Sequence, residues 1–203
     1  MIECVTWGEF DENTYVVSDQ GECAVIDAGA PYEVLKPKIG DNKVVAILLT
    51  HTHLDHIFGA DELRANTGAP LFAPKGEEDG LTNPDINLSS LFKEPLRRSA
   101  PEMIAADGKD IKVGKIILKA ISIPGHSKGH LAWLGEQYVF TGDALFAGAI
   151  GRTDLPGSSF ETLLSSIKKR LMTLPDSTVV YPGHGPKTTI GTERRYNPFV
   201  AEE

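Results

Sequence analysis

Four potential metal ligands lie close together in one short stretch of the chain. Residues 50–56 read Thr-His-Thr-His-Leu-Asp-His and directly follow the apolar run 44–49, which is typical of a buried strand. Side chains that follow a buried strand lie at a sheet edge, where loops can direct them into a cleft. The sequence therefore predicts a metal site at the end of this strand, and its first candidate ligands are His51, His53, Asp55 and His56.

Three further candidate ligands stand at turn positions later in the chain. They are His126 in Pro-Gly-His-Ser, Asp143 in Thr-Gly-Asp-Ala and His184 in Pro-Gly-His-Gly, and each follows a predicted strand. The neighbouring glycines permit the unusual backbone angles and close approach that a site built from loops requires. Together, five histidines and two aspartates suit a site for two divalent metal ions, zinc in the first place, with iron or manganese as alternatives.

The spacing of the first group indicates two adjacent metal positions. His51 and His53 are two residues apart and can approach one ion, while Asp55 and His56 continue into a turn and face a neighbouring position. Any one of these histidines alone would equally suit a surface or core position. The sixth histidine, His130, begins a predicted strand, and we expect it in the core or beside the ligands rather than on a metal.

Composition narrows the class of protein. The chain has 203 residues, which predicts one domain over 1–203. Its 20 basic and 28 acidic residues give a net charge of -8, so we expect neither nucleic acid nor membrane as a partner. The N-terminal residues show no export signal, and the run 44–49 is far too short to cross a bilayer. We therefore expect a soluble, cytoplasmic protein; the sequence does not indicate an oligomeric state.

Strands outnumber helices in the predicted order of elements. A capping pair of Ser158 and Glu161 predicts a helix over 159–172, and two more helices are expected at 31–39 and 57–66. Residues 74–102 show no sustained period and predict an excursion with some helix. Strands are expected at 2–6, 14–17, 23–26, 44–49, 70–73, 115–121, 130–134, 137–141 and 178–181. This order favours two mixed sheets covered by helices.

The histidine and aspartate pattern resembles that of the metallo-β-lactamase superfamily, and more closely that of its glyoxalase II-like hydrolases. The resemblance rests on His-x-His-x-Asp-His at 51–56 and on the order of the later ligands. It extends along nearly the whole chain. The segments Gly-Arg-Thr-Asp at 151–154 and Glu-Arg-Arg-Tyr-Asn-Pro-Phe at 193–199 resemble the short, single-domain bacterial branch.

The resemblance implies an α/β fold, a four-layer αββα sandwich of two mixed sheets with the site at one edge. It also implies roles for the ligands: His51, His53 and His126 on the first metal, Asp55, His56 and His184 on the second, and Asp143 bridging both. Two-domain glyoxalase II enzymes carry a helical domain with basic contacts to glutathione, which these 203 residues do not include. The lysine and tyrosine that those enzymes have shortly after the bridging aspartate are missing, and Arg152 and Asp154 stand in that stretch, so the carrier thiol stays open.

The leading hypothesis for function is hydrolysis of a small-molecule 2-hydroxyacyl thioester, such as lactoylglutathione or the thioester of another small thiol. A hydroxide between two metals would attack the carbonyl, with Asp55 and Asp143 as the catalytic carboxylates. The main alternative is a persulfide dioxygenase, which resembles the chain at 151–154 and would hold one iron with His51, His126 and Asp143. A non-catalytic binding module stabilised by metal is the third hypothesis.

Substrate contacts are harder to assign from the sequence. Phe10, Tyr15 and Phe146 are candidates for a substrate wall, although aromatic residues near strands commonly belong to the core. Arg152 is expected either to contact an anionic group of the substrate or to form a salt bridge with Asp154.

Overall fold

The computed structural model describes residues 1–201, and two six-stranded sheets form its centre. The first sheet contains β1 (Ile2–Trp7), β2 (Glu12–Asp19), β3 (Glu22–Ile26), β4 (Lys43–Leu48), β5 (Leu71–Pro74) and β6 (Met103–Ala105), in that order. Strands β1 to β3 pair antiparallel and β3 to β6 pair parallel, so the sheet is mixed.

The second sheet is also mixed. The sheet contains β7 (Asp110–Val113), β8 (Ile116–Ser122), β9 (Leu131–Leu134), β10 (Tyr138–Gly142), β13 (Val179–Pro182) and β14 (Thr188–Thr189). Between β10 and β13, the chain forms a separate two-stranded hairpin of β11 (Leu145–Phe146) and β12 (Ala149–Ile150). The order in the sheet is β14-β13-β10-β9-β8-β7, and only β10 and β13 pair parallel.

Helices cover the outer faces of both sheets. They are α1 (Tyr32–Ile39), α2 (Leu54–Ile57), α3 (Ala60–Thr67), α4 (Phe160–Ser166) and α5 (Ile190–Tyr196). Leu35 of α1 and Leu63 of α3 pack in the apolar layer outside the first sheet, and Leu163 of α4 and Ile190 of α5 pack outside the second. The structure therefore confirms the predicted α/β sandwich of two mixed sheets flanked by helices.

The alternation of side chains along each strand produces these layers. In β3, Cys23 and Val25 face the helices, whereas Ala24 and Ile26 face the second sheet. Trp133 of β9 fills the space between the sheets, where it is fully buried and its indole N–H donates to the Leu49 carbonyl at 3.0 Å. Both faces of β3 and β4 are buried, which explains why their sequences are continuous apolar runs.

The direction of the strands brings the predicted ligands to one edge. Strands β10 and β13 run parallel, so Asp143 and His184 follow their carboxyl ends at the same edge. Strand β9 is antiparallel to both β8 and β10, and β8 therefore points the same way as β10, which places His126 at that edge as well. Residues 51–56 follow β4 of the facing sheet.

Three local predictions require correction. The expected helix 57–66 is two helices, α2 and α3, separated at Gly59, whose N–H donates to the Ala28 carbonyl at 2.6 Å. Asp55 and His56 thus lie on α2 rather than in a turn. The N-cap of α4 is Ser159, which accepts a hydrogen bond from the Thr162 N–H, and not Ser158.

Several short elements were not predicted. They are β6, β7, β11, β12, β14 and α5. Helix α4 continues into a π-helical turn at Ile167–Leu171, and residues 74–102 contain two 3₁₀ turns, Glu78–Leu81 and Ser89–Leu91.

The turn before His126 depends on Gly125, and Gly125→Ala is expected to destabilise the fold. Gly125 has φ of +134°, and a Cβ there would lie 2.2 Å from the backbone nitrogen of Leu163 in α4. We expect the free energy of unfolding to fall by about 2–4 kcal/mol, measured by urea denaturation. The control is Gly108→Ala, with φ of +80° and nothing within 4 Å of the added Cβ among the described residues. It should lose only about 1 kcal/mol, and equal losses in the two variants would contradict the prediction.

Candidate metal centre

Three of the predicted ligands form a first ligand group. His51, His53 and His126 each offer a ring nitrogen, and these atoms lie within 4.8 Å of one another. Nε2 of His126 is 2.9 Å from Nδ1 of His53. All three side chains are buried, so the ring nitrogens face one another in a site from which most solvent is excluded.

A second ligand group adjoins the first. Asp55, His56 and His184 also bring one ligand atom each to within 4.8 Å of the others. Nε2 of His184 is 3.2 Å from Oδ2 of Asp55, and Nε2 of His56 is 3.8 Å from the same oxygen. This group is more open than the first, because Asp55 and His184 are only partly buried.

Asp143 lies between the two ligand groups, and its carboxylate oxygens face different groups. Oδ1 is 3.3 Å from Nε2 of His56 and 3.5 Å from Nε2 of His184. Oδ2 is 3.6 Å from Nε2 of His126. One carboxylate in this position can bridge two ions, which is the role that the family resemblance implied.

Unsatisfied polar atoms mark the centre as suited to metal. Nε2 of His51, Nε2 of His56 and Oδ1 of Asp143 are buried and have no hydrogen-bond partner within residues 1–201. Buried polar atoms are ordinarily satisfied, and each unpaired one requires an explanation. Imidazole nitrogens together with carboxylate oxygens are the donor set that zinc and similar ions prefer, so a bound cation would satisfy these atoms.

The other ring nitrogen of three of these histidines is held by a neighbouring group. Nδ1 of His126 lies 2.9 Å from the carbonyl oxygen of Arg152, and Nδ1 of His184 lies 2.8 Å from that of Phe10. A carbonyl oxygen only accepts, so both Nδ1 atoms carry the proton and both Nε2 atoms are free to ligate. Nδ1 of His51 is held at 3.1 Å by Thr50 Oγ1.

Asp27 supports the centre and was not among the predicted site residues. Its Oδ2 is 2.9 Å from Nδ1 of His56, and its Oδ1 accepts the backbone N–H of Thr50 at 2.7 Å. The Thr50 hydroxyl also donates to Oδ2 at 2.9 Å. Asp27 has a positive φ of 58°, which is unusual for a residue other than glycine. The turn Asp-Ala-Gly after β3 was the only sequence signal of this residue.

Glu12 forms a further buried group behind His56. Its Oε1 lies 3.8 Å from Nδ1 of His56, and its Oε2 accepts the Thr14 hydroxyl at 2.8 Å. Burial raises the pKa of the Glu12 carboxyl well above its usual range. Neither the type nor the spacing of this residue predicts its place at the centre.

His130 contacts the ligands from the side of the core. Its Nε2 accepts the backbone N–H of Asp143 at 3.2 Å, and its ring stacks on that of His51 with 5.0 Å between the centroids. His130 is fully buried. This hydrogen bond places His130 to orient Asp143.

The charges of the first ligand group and of Asp143 favour ligation at neutral pH. Burial, with the neighbouring His126 ring, lowers the pKa of His53 to about 3. Burial and the rings of His56 and His53 lower the pKa of His51 well below its usual range. Burial alone would raise the pKa of Asp143, but the attraction of His56 and of the other nearby rings outweighs it, and this pKa lies far below normal. Asp143 is therefore ionised and His51 and His53 are neutral, the states that metal binding requires.

The predicted substrate contacts fare differently. Phe146 is partly exposed, and its ring centroid is 6.1 Å from that of His184. Phe10 lines a pocket beside Asp55. The prediction for Tyr15 is wrong: it is a buried core residue between the sheets, and its hydroxyl donates to the Pro182 carbonyl at 2.7 Å.

Arg152 takes the second of its two expected roles. Its guanidinium forms two hydrogen bonds with Asp154, of 2.8 and 2.9 Å, on the surface. What reaches the centre is its backbone carbonyl, which holds His126.

Comparison with known proteins agrees with this geometry. The chain belongs to the metallo-beta-lactamase superfamily, whose sequence profile matches residues 7–184. It is 36% identical over 199 residues to the probable metallo-hydrolase YqgX of Bacillus subtilis, with 95% of this chain and 94% of that protein covered. It is 34% identical over 212 residues to the hydroxyacylglutathione hydrolase GloC of Haemophilus influenzae, with 98% and 97% covered.

Solved structures show the same fold. The BLEG-1 B3 metallo-beta-lactamase is 34% identical, with all of both chains covered and a TM-score of 0.94. TTHA1623 in a di-iron-bound form is 33% identical, with 97% and 99% covered and a TM-score of 0.86. ETHE1 from Myxococcus xanthus is 27% identical, with 99% and 84% covered and a TM-score of 0.78.

The family and the histidine and aspartate cluster together imply divalent metal ions and the chemistry of a metallo-hydrolase. The di-iron relative shows that iron is one of the metals this fold accepts. Within residues 1–201, no helix combines the length and the apolar character needed to span a bilayer.

Asp27→Asn is expected to weaken metal binding. One amide oxygen cannot accept both from His56 and from the Thr50 N–H, so the second ligand group loses its support. We expect an affinity about 10- to 100-fold lower for the more weakly held ion, measured by chelator competition with metal analysis. The control is Asp107→Asn, which changes surface contacts away from the ligands, the pair with Arg170 and the hydrogen bond from the Ser122 N–H. Unchanged affinity in Asp27→Asn would contradict the role assigned to this carboxylate.

Proposed function

We propose that the protein is a binuclear metallohydrolase that cleaves a 2-hydroxyacyl thioester of a small thiol. The observation that carries this proposal is the position of Asp143, whose two oxygens face two separate ligand groups. A structural metal site usually saturates four ligands on one ion, whereas seven ligands divided between two ions leave coordination positions open. Open positions are what a hydrolytic centre requires.

The first ligand group would hold one ion, the second ligand group the other, and Asp143 would contact both. Zinc or iron in such a centre lowers the pKa of water so that hydroxide is available at neutral pH, and it polarises a carbonyl. In the hydrolysis, the oxygen of one water adds to the thioester carbonyl carbon, the C–S bond breaks and the thiolate leaves. The products are a carboxylic acid and a thiol.

The residues of the chain keep the reacting groups in place. Asp143 remains ionised, because its pKa lies far below normal, and its backbone N–H is held by His130. Asp55 is partly exposed beside a cavity of about 500 Å³, so substrate can approach the second ligand group from that side. Phe146 next to His184 borders the centre. Preorganised contacts of this kind are what make electrostatic stabilisation effective.

The similarity to the hydroxyacylglutathione hydrolase GloC over nearly the full length of both proteins supports the thioester substrate. Two other reactions have specific support. β-Lactam hydrolysis is suggested by the 34% identity to a B3 metallo-beta-lactamase. Oxidation of a persulfide at one iron, held by His51, His126 and Asp143, is suggested by the sequence resemblance at 151–154. The substrate panel below distinguishes all three.

Asp143→Asn is expected to abolish most thioester hydrolysis. The substitution replaces the charged carboxylate with a neutral amide, which has one oxygen and so cannot offer an oxygen to both ligand groups; we expect kcat/KM to fall by at least about 100-fold. Release of thiol from lactoylglutathione and from other 2-hydroxyacyl thioesters measures the rate, and circular dichroism checks the fold. Asp110→Asn, which breaks a surface pair with Lys119, is the matched control. Unchanged turnover by a folded Asp143→Asn variant would reject the mechanism.

A substrate panel assayed without oxygen separates the candidate reactions. Hydrolysis consumes only water, so the metal-loaded enzyme should cleave thioesters equally well in anaerobic and aerated buffer. The panel contains several acyl thioesters, a thiol persulfide and a chromogenic β-lactam. Turnover confined to the persulfide and dependent on oxygen would establish the oxidative reaction instead. Turnover confined to the β-lactam would establish a lactamase.

A further inference from the structure

An apolar pocket opens beside the metal centre. It has a volume of about 500 Å³ and reaches Asp55 of the second ligand group. Its apolar walls are Trp7, Phe10, Leu54, Phe58 and Phe92. These residues come from the end of β1 and the loop that follows it, from the region of α2 and from the segment that follows the second 3₁₀ turn. We call this cavity the aromatic pocket.

The aromatic side chains of the pocket are partly open to solvent. Between 41% and 50% of the surface of Trp7, Phe10, Phe58 and Phe92 is exposed. The rings of Phe10 and Phe92 meet edge to face at 5.8 Å, so the two loops support each other. Covering clustered aromatic surface of this kind with an apolar group lowers the free energy, because the surface is removed from water. A ligand of aromatic size would do so.

The charges at the pocket do not favour glutathione. Besides Asp55, which belongs to the ligands, the pocket is bordered by the carboxylates of Glu9 and Glu94 and the ammonium of Lys93. Two carboxylates and one ammonium leave one net negative charge. The tripeptide of a glutathione thioester also carries two carboxylates and one ammonium, so these side chains offer it no net attraction, and any attraction would have to come from the metal ions. A neutral, apolar group needs no such attraction.

We infer that the aromatic pocket binds an aryl or similarly bulky apolar group of the thioester, and that such thioesters are preferred to lactoylglutathione. This inference rests on the proposed function for its catalytic part. The apolar group can belong to the acyl half or to the thiol half of the substrate. In either case, an apolar group contacts Phe10 and Phe92.

Steady-state kinetics with three thioesters test the preference. The substrates are lactoylglutathione, mandeloylglutathione with the ring on the acyl half, and the lactate thioester of benzyl mercaptan with the ring on the thiol half. We expect at least one aryl substrate to have a KM about tenfold lower than that of lactoylglutathione. The half that carries the favourable ring identifies which side of the thioester enters the pocket.

Phe92→Ala removes one wall of the pocket. It should raise the KM of the preferred aryl thioester about tenfold and change its kcat by less than about threefold. Its matched control is Ile117→Ala, a truncation of an exposed apolar residue of β8 that lies outside the pocket. An equal effect of Phe92→Ala on the KM of lactoylglutathione would overturn the inference.

Tryptophan fluorescence tests binding without catalysis. The chain has two tryptophans, Trp7 in the pocket and Trp133 buried between the sheets. Titration with the non-hydrolysable thioether 1-(benzylthio)propan-2-ol should change the emission of Trp7, and the change should vanish in Trp7→Phe. S-(2-hydroxypropyl)glutathione, which lacks the ring, should bind about tenfold more weakly.

The two measurements fail in different ways. If no thioester is hydrolysed but the benzyl thioether still changes the emission of Trp7, the proposed function is wrong and the aromatic pocket remains a binding site for apolar groups. If thioesters are hydrolysed but neither aryl substrate has a lower KM than lactoylglutathione, the inference is wrong and the proposed function stands. The same holds if Trp7 does not respond to the thioether that carries its ring on the preferred half, which is 1-(benzylthio)propan-2-ol for the thiol half and S-(2-hydroxy-2-phenylethyl)glutathione for the acyl half.

Discussion

The hydrogen bonds of one buried carboxylate hold the two halves of the ligand set together. Asp27 accepts the N–H of Thr50, which immediately precedes His51, and it also holds Nδ1 of His56. A buried carboxylate is tolerable only when its oxygens are well satisfied, and here the groups that satisfy it belong to the ends of the ligand segment itself. The chain therefore cannot bury Asp27 without also bringing residues 51–56 into their places, and stability and site geometry depend on the same contacts.

Much of the fold follows from local sequence patterns, whereas the elements that the sequence does not predict depend on contacts between distant residues. The apolar runs of β3 and β4 are continuous because both faces are buried, and this pattern is visible in the sequence. Strands β6, β11, β12 and β14 are two or three residues long and form only where a neighbouring strand supplies their hydrogen bonds. The break between α2 and α3 at Gly59 likewise depends on a contact with Ala28, far away in sequence. Tertiary contacts of this kind leave no period in the sequence.

The same distinction applies to the site. The ligands at 51–56 are recognisable because their spacing is local, whereas Asp27 acts on Thr50 through a contact across 23 positions of the chain. Arg152 shows a different limit, because the contact with His126 uses its carbonyl oxygen, and a backbone atom has no signature in residue type. Tyr15 was misplaced because an aromatic residue on a strand suits a core and a pocket equally well. Only the packing between the sheets decides between the two.

Phe10 makes one contact through its backbone and another through its ring, and this separation has an evolutionary consequence. Its carbonyl oxygen holds Nδ1 of His184, while its ring stands against Phe92 in the pocket wall. Any amino acid supplies the carbonyl, so mutation can replace the ring without removing the support of the histidine. Descendants of this chain can thus explore new substrates by single changes in the loop between β1 and β2 while the inherited chemistry continues to operate.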